Sequence, residues 1–207
     1  LICTHREDEL LYRAIQSCLT QTVNDFDLHL IVNGPNADEI VPKLTKAYAN
    51  DERVKIHGTP IHLLNFSLSL GLHLARSPFI ARMDADDVAD PRRLEMQLAY
   101  MEANDDVAVL GSSYLQIDNN NYVHGKVDLP ETDQAIRKAL RFGNPICHPS
   151  VMLRRDAYER DTAAFMAEYG AQDAQWRAAI LTARRALASQ LRGQFDRAVV
   201  CPNSFKS

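Results

Sequence analysis

Asp84-Ala85-Asp86-Asp87 sets three carboxylates within four residues, directly after the apolar run Phe79-Ile80-Ala81 and the step Arg82-Met83. Like charges this close repel one another and push a pKa upward unless a cation intervenes. A divalent ion removes that penalty. Mg²⁺ or Mn²⁺ takes oxygen from one or two carboxylates and completes its shell with substrate phosphates. Residues 84 and 86 are two apart, so in an extended segment both side chains leave the same face. One can ligate the ion while the other holds an ion-bound water or a ribose hydroxyl. An ion held this way neutralises charge that develops on a diphosphate leaving group. The competing reading is a solvated acidic loop in which Asp87 or Asp90 caps the next helix, and an Asp-x-Asp alone does not decide between them.

The surrounding elements tilt the balance. Leu1 to Thr4 reads as the end of an apolar strand, so part of the natural N-terminus is expected to precede Leu1. Apolar residues at Leu10, Leu11, Ala14, Ile15, Cys18 and Leu19 mark one face of a helix. Phe26 to Val32 alternates as a strand and ends at the turn signal Asn33-Gly34-Pro35. A helix over 37–49, a strand over 53–57 and a helix carrying Leu64, Leu68, Leu72 and Ala75 follow. Phe79 to Met83 is a strand that runs into the acidic turn. Pro91 suits the first position of a helix capped by Asp90, with Leu94, Leu98 and Met101 inward. Val107 to Ile117 is strand-rich, Asn119-Asn120-Asn121 is a turn, and helix-like segments flank a strand over 150–153. This alternation predicts an α/β fold: a mostly parallel central sheet with helices on both faces. Such sheets bind ligands outside the carboxyl ends of their strands. The polar strand ends Thr4-His5-Arg6, Asn33-Gly34 and Asp84-Ala85-Asp86-Asp87 therefore matter most.

The 207 residues suffice for one sizeable core, and 46% hydrophobic with 24% charged residues is ordinary for a globular chain. A net charge of −4 argues against a nucleic-acid partner. No apolar run is long enough to span a bilayer and no secretory signal opens the chain. Cys3, Cys18, Cys147 and Cys201 show no metal-binding spacing and predict a reduced, cytoplasmic protein.

Taken together, these segments resemble the inverting GT-A-fold glycosyltransferases called family two. The resemblance is clearest from Leu1 to about Arg155. It is carried by Ile2-Cys3-Thr4-His5-Arg6, by Ala14 through Thr22, by Phe26 through Gly34, and by Ile80-Ala81-Arg82-Met83-Asp84-Ala85-Asp86-Asp87 leading to Pro91-Arg92-Arg93-Leu94-Glu95. Asn144 through Met152 resembles the family's acceptor-side strand. The resemblance implies a GT-A, Rossmann-like nucleotide-diphospho-sugar transferase fold over 1–207 as a single domain. Residues to about 110 would form the nucleotide-sugar half and those from about 111 the acceptor half.

It also implies a metal-dependent inverting transfer of a sugar from a nucleoside diphosphate to a hydroxyl of a glycan or lipid-linked acceptor in cell-surface polysaccharide synthesis. Thr4 would line the base and ribose pocket, and Asn33 stands where the family usually has a base-contacting Asp. Asp84 would meet the ribose or sugar, and Asp86 would coordinate Mn²⁺ or Mg²⁺. Asn33 keeps hydrogen-bonding capacity for a pyrimidine edge, which makes uracil the leading base. Asp173 matches the family's catalytic base, although Gln172 replaces the acidic residue that usually precedes it. Its competing explanation is a carboxylate in the first turn of the following helix.

His5 and Arg6 can meet a nucleotide at the first strand end, or simply belong to a surface loop. His148 lies on the acceptor side and reads as structural. From Trp176 onward, Trp176, Ile180, Ala183, Leu187 and Leu191 form one stripe and Arg177, Arg184, Arg185 and Arg192 another. Such a helix can make peripheral contact with the inner face of a membrane, or pack on the core with a solvated basic face. After Gly193 the chain reads as a loose tail. Two rival functions use the same residues: a haloacid-dehalogenase-like phosphohydrolase, with Asp84 as nucleophile, and a non-catalytic sugar-nucleotide-binding protein. The phosphohydrolase expects a small hydroxyl residue soon after the second Asp, where Asp87 and Val88 stand.

Overall fold

The computed structural model describes residues 1–160 and the backbone strand Ala198–Cys201. In chain order the elements are β1 (Ile2–Thr4), α1 (Glu9–Leu19), β2 (Leu28–Asn33), α2 (Ala37–Ala47), β3 (Val54–Thr59), α3 (Leu64–Leu74), β4 (Phe79–Ala81) and β5 (Met83–Asp84). There follow α4 (Arg93–Ala103), β6 (Val109–Ser112), β7 (Tyr114–Ile117), β8 (Val123–Val127), α5 (Asp133–Ala139), a 3₁₀ turn (His148–Ser150), β9 (Met152–Arg154) and β10 (Ala198–Cys201).

Two four-stranded sheets meet at one extended run. The first, in order β3-β2-β1-β5, is wholly parallel, with Ile2 opposite both Leu30 and Met83. The second, in order β10-β6-β9-β4, has β10 and β6 parallel and β9 antiparallel to both β6 and β4. Only Arg82 separates β4 from β5. Its N–H donates to Val151 O at 2.8 Å on one side, while Met83 N–H donates to Leu1 O at 3.1 Å on the other. The mostly parallel sheet expected from the sequence is present, with β9 running against the rest.

The central strands bury their apolar side chains against the helices. Leu28, Leu30 and Val32 pack on Leu11, Ala14 and Ile15 of α1 and on Ile40 and Leu44 of α2. On the other side Ala75, just past α3, joins Ile80, Val109, Ile136 and Leu153 in a second cluster, and α4 brings Met101 to Leu110 and Met152. Each fully buried large side chain of this kind contributes about 1.5–3 kcal/mol. α1 starts where Asp8 Oδ1 accepts Leu11 N–H at 3.0 Å, with Glu9 in the favourable first turn.

Two expectations need correction. Asp90 does not cap α4 through Pro91. Its Oδ1 accepts Arg92 N–H at 2.8 Å and its carbonyl accepts Arg93 N–H at 3.0 Å, closing a tight turn so that the helix begins at Arg93. The tail after Gly193 is not patternless, since Ala198–Cys201 adds a parallel edge strand to β6. The apolar run Ala198-Val199-Val200-Cys201 is the signal. The turn at Asn119-Asn120-Asn121 closes the β7–β8 hairpin, with Asn121 at φ 65°, and Arg13 of α1 donates to Asn119 O at 2.8 Å.

Candidate nucleotide and metal site

Register alone gathers the polar strand ends. Thr4 stands opposite Val32, Asn33 opposite Thr59, and Cys3 opposite Asp84, so β1, β2, β3 and β5 all finish at one edge of the parallel sheet. Thr4, Asn33 and Thr59 are buried there.

Thr4 spends its hydroxyl on the local turn, donating to Arg6 O at 2.7 Å and accepting Arg6 N–H at 3.2 Å. That turn aims Arg6 back over the edge, where Nε pairs with Asp8 at 2.7 Å and Nη2 lies 3.8 Å from Asp86 Oδ2. The rings of His5 and His62 lie 4.9 Å apart at the same mouth. Gly34, at φ +100°, turns the chain beneath them. A Cβ there would sit 3.3 Å from the His62 ring and would be strained by the backbone itself.

Asn33 is anchored from the helix side. Its Nδ2 donates to Ser67 Oγ at 2.7 Å, and Ser67 donates in turn to Leu63 O at 3.0 Å. Asn33 Oδ1 is buried with no hydrogen-bond partner among the described residues. Buried acceptors are nearly always satisfied, so an orphan at a strand's carboxyl end points to a ligand donor.

The acidic turn divides its charges. Asp84 Oδ1 pairs with the guanidinium of Arg82, whose side chain is only 6% exposed, while Asp84 is 39% exposed. Asp86 is 55% exposed, with Arg6 as its cation. Burial, reinforced by Asp84 and Asp86, raises the Asp87 carboxyl above its usual range. No cluster of three or more His, Cys, Asp or Glu side chains able to hold a metal occurs among the described residues. The oxygen donors nonetheless fit Mg²⁺ or Mn²⁺, which routinely complete their shells with water and phosphate. Of the three carboxylates in the turn, Asp86 is the one that is exposed.

Side chains from α1 and α4 fix the turn that follows. Ser17 Oγ accepts Ala89 N–H at 3.0 Å, and Thr22 N–H donates to Pro91 O at 2.9 Å. Gln21 Nε2 donates to Asp90 O at 2.6 Å, while its Oε1 accepts Leu94 N–H at 2.9 Å. Gln21 thus supplies the α4 cap that Arg92 does not. From below, Arg93 donates to Arg82 O at 2.7 Å and to Gln97 Oε1 at 3.1 Å, and Gln97 donates to Ser150 O at 2.7 Å. Burial lowers Arg93 to about 10. His148 falls to about 4 through burial first and then the Arg82 charge, with Asp84 opposing. It is neutral near pH 7 and lies within electrostatic reach of Arg82 and Asp84.

Thr4, Arg6, Asn33, Asp84 and Asp86 therefore converge. Asp173 and the basic stripe from Arg177 to Arg192 lie outside the described residues. Arg82, Ser67 and Gln21 emerge only from the structure. Arg82 had a readable signal, an arginine on a buried apolar strand two residues before an aspartate of the same face. A cavity of about 700 Å³ opens at the opposite edge, where the strands begin, and none of these five residues lines it. Cys3, Cys18 and Cys147 are free thiols, and burial pushes Cys3 up to about 12, which removes it as a nucleophile.

A helix-wrapped, mostly parallel sheet with one antiparallel strand beside the acidic turn is the α/β architecture of the GT-A nucleotide-diphospho-sugar transferases. Residues 1–162 match Glycosyl transferase family 2, and the chain belongs to that family. It is similar to the O-antigen biosynthesis glycosyltransferase WbnJ of Escherichia coli, at 36% identity over 156 residues, 75% of this chain and 61% of the relative. It is also similar to the amylovoran biosynthesis glycosyltransferase AmsE of Erwinia amylovora, at 31% over 152 residues, 72% of this chain and 55% of the relative. The crystal structure of S. aureus TarS 1-349 in complex with UDP shares the fold, with TM-score 0.62 and 14% identity over 97% of this chain and 56% of that one. The chain thus spans little more than half the length of these proteins. Family membership sets aside the phosphohydrolase reading. Among the described residues no helix is long and apolar enough to cross a membrane.

Proposed function

We propose that this chain carries the donor-binding part of a metal-dependent glycosyltransferase. It would take a sugar from a nucleoside diphosphate, UDP first, and pass it with inversion to a hydroxyl of a glycan or lipid-linked acceptor in cell-surface polysaccharide assembly. The observation that carries the reading is the convergence of Thr4, the orphaned Asn33 acceptor, Asp84 and exposed Asp86 at one strand edge. The printed roles of WbnJ and AmsE in O-antigen and amylovoran biosynthesis support the acceptor class.

In this reading Asn33 Oδ1 accepts the uracil imide N–H, and Thr4 closes the pocket beside it. Asp84, held by Arg82, accepts a ribose or sugar hydroxyl. Asp86 would hold Mn²⁺ or Mg²⁺. When bound, such an ion supplies positive charge to the departing diphosphate. Arg6 adds a second, exposed cation at the same mouth. An acceptor hydroxyl must lose its proton as it attacks, and Asp173 is the proposed base. Single displacement from the face opposite the diphosphate inverts the anomeric centre.

The test is a thermal-shift series with uridine, guanosine and thymidine diphosphates, each with and without Mn²⁺. Ligands that bind the native state raise its melting temperature according to affinity. A UDP shift that requires Mn²⁺ and vanishes in Asp86→Ala is the expected result. Silence with all three diphosphates defeats the donor assignment. Binding without turnover on any acceptor points instead to a non-catalytic sugar-nucleotide-binding protein.

A further inference from the structure

We infer that Arg82 is a positioning residue of this site: its buried guanidinium holds Asp84 in place and offsets its charge, which reserves Asp86 for the cation. The inference rests on the donor reading above and deepens it.

Arg82 occupies the one residue between β4 and β5, where the two sheets join. Its neighbours Ile80 and Met83 are buried apolar side chains, and an apolar residue would pack at the same depth. The guanidinium instead pairs with Asp84, while its Nε and Nη1 are buried with no hydrogen-bond partner among the described residues. Replacing buried ion pairs by apolar side chains is often neutral or stabilising, so stability does not account for this arrangement. The backbone under it is held with unusual care. Arg82 N–H goes to Val151 O at 2.8 Å, and Arg82 O receives the Arg93 guanidinium at 2.7 Å. A charge fixed at that depth has one direct ion-pair partner among the described residues, Asp84, while Asp87 feels it at longer range. Asp86, two residues past Asp84, is exposed and among the described residues pairs only with Arg6, at 3.8 Å and beyond hydrogen-bond distance. Two carboxylates of one turn thereby acquire different jobs. Asp84 enters any complex already neutralised and fixed, and Asp86 enters it with its charge available.

The experiment is Mn²⁺ binding to the full chain without nucleotide, read from the electron paramagnetic resonance of free Mn²⁺, in a double-mutant cycle. Asp84→Asn uncovers a buried cation and should weaken Mn²⁺ binding about tenfold; Arg82→Met uncovers a carboxylate and should tighten it about tenfold. The double variant should return to within about threefold of wild type, as should the charge-preserving Arg82→Lys. A purely packing role for Arg82 predicts the opposite sign in Arg82→Met. If that variant does not fold, Asp84→Asn against the double variant carries the comparison. A loss in Asp84→Asn that persists in the double variant makes Asp84 itself a metal ligand and overturns the assignment. So does equal weakening in Arg82→Met and the double variant. Wild-type protein that takes up no Mn²⁺, with or without UDP, brings down the donor reading and this inference with it.

Discussion

Asn33 donates its amide N–H to Ser67 Oγ at 2.7 Å, and this bond fixes which end of the amide is left over. With Nδ2 committed to α3, Oδ1, which has no partner among the described residues, has the polarity to meet a donor, as the uracil imide is and the cytosine ring nitrogen is not. Asn33→Ala should weaken UDP binding about tenfold, the value of one buried hydrogen bond, and should narrow the preference for UDP over CDP. Ser67→Ala should weaken it less, because the amide survives but is free to flip. Calorimetric titration in Mn²⁺ checks both. Unchanged UDP/CDP selectivity in Asn33→Ala places the base elsewhere.

Gln21 joins two segments far apart in sequence, with partners 69 and 73 residues away. Gln21→Ala removes one of two bonds to the Asp90 carbonyl, which keeps Arg93 N–H, and strands the helix-start N–H at Leu94. A stranded buried group costs about 1–3 kcal/mol, so denaturant unfolding should show a loss of about 1–2 kcal/mol. The loop that follows the carboxylates would loosen as well, and Mn²⁺–UDP affinity should fall with it. A stability loss with untouched affinity would mean that the acidic turn holds its shape without Gln21.

Arg6 makes a contrasting case. Both members of its pair with Asp86 are more than half exposed, and pairs of that kind add little to stability. Arg6→Ala should therefore leave the melting temperature in chelator unchanged while weakening UDP binding several-fold. The deficit should shrink as salt rises, since screening removes most of what an exposed cation contributes. A deficit independent of salt would assign Arg6 a shape role instead.

Much of this was legible from residue order. Period-3.6 apolar spacing predicts α1, the acidic turn follows a strand end as expected, and Thr4, Asn33, Asp84 and Asp86 share an edge because parallel strands in register must finish together. What the sequence could not reveal is pairing at a distance. Ser67 reads as one more small residue on an apolar helix until the register brings Asn33 beside it. Gln21 shows no sign of its role in the local sequence until the turn after Asp90 comes to rest on it. The start of α4 differs from the expectation for the same reason, since its cap arrives from Gln21, in the loop after α1. Arg82 is the intermediate case, where local alternation locates a buried charge but not its division of the acidic turn.

His29 and His57 lie on adjacent strands with Nδ1 and Nε2 3.3 Å apart. Burial lowers both, and for His29 the neighbouring ring adds to the effect. The fold therefore favours the neutral rings, while the unfolded chain binds protons near the ordinary value of about 6.5. Stability from this pair is complete above that pH and is lost as pH falls through it toward the depressed folded values. Urea unfolding at pH 7.5 and 5.5 should show the drop, and His57→Gln should flatten it. An equal drop in the variant would trace the acid sensitivity to other groups.

Asp173 separates chemistry from binding in the proposed reaction. If it is the base, Asp173→Asn keeps a side chain of nearly the same shape but cannot take the acceptor proton. Turnover should fall by about 10²–10⁴, the usual contribution of a positioned general base. The Mn²⁺-dependent UDP melting shift should persist at full size, because the donor is held by other residues. The rival role, a carboxylate at a helix start, predicts the reverse pattern. There the loss would appear in the melting temperature of the unliganded protein, through the dipole interaction, at a few tenths to about 1 kcal/mol, with turnover nearly intact. Donor hydrolysis and transfer assays beside thermal melts of the same variant distinguish the two, and a melting loss without a rate loss would move the search for the base to another carboxylate.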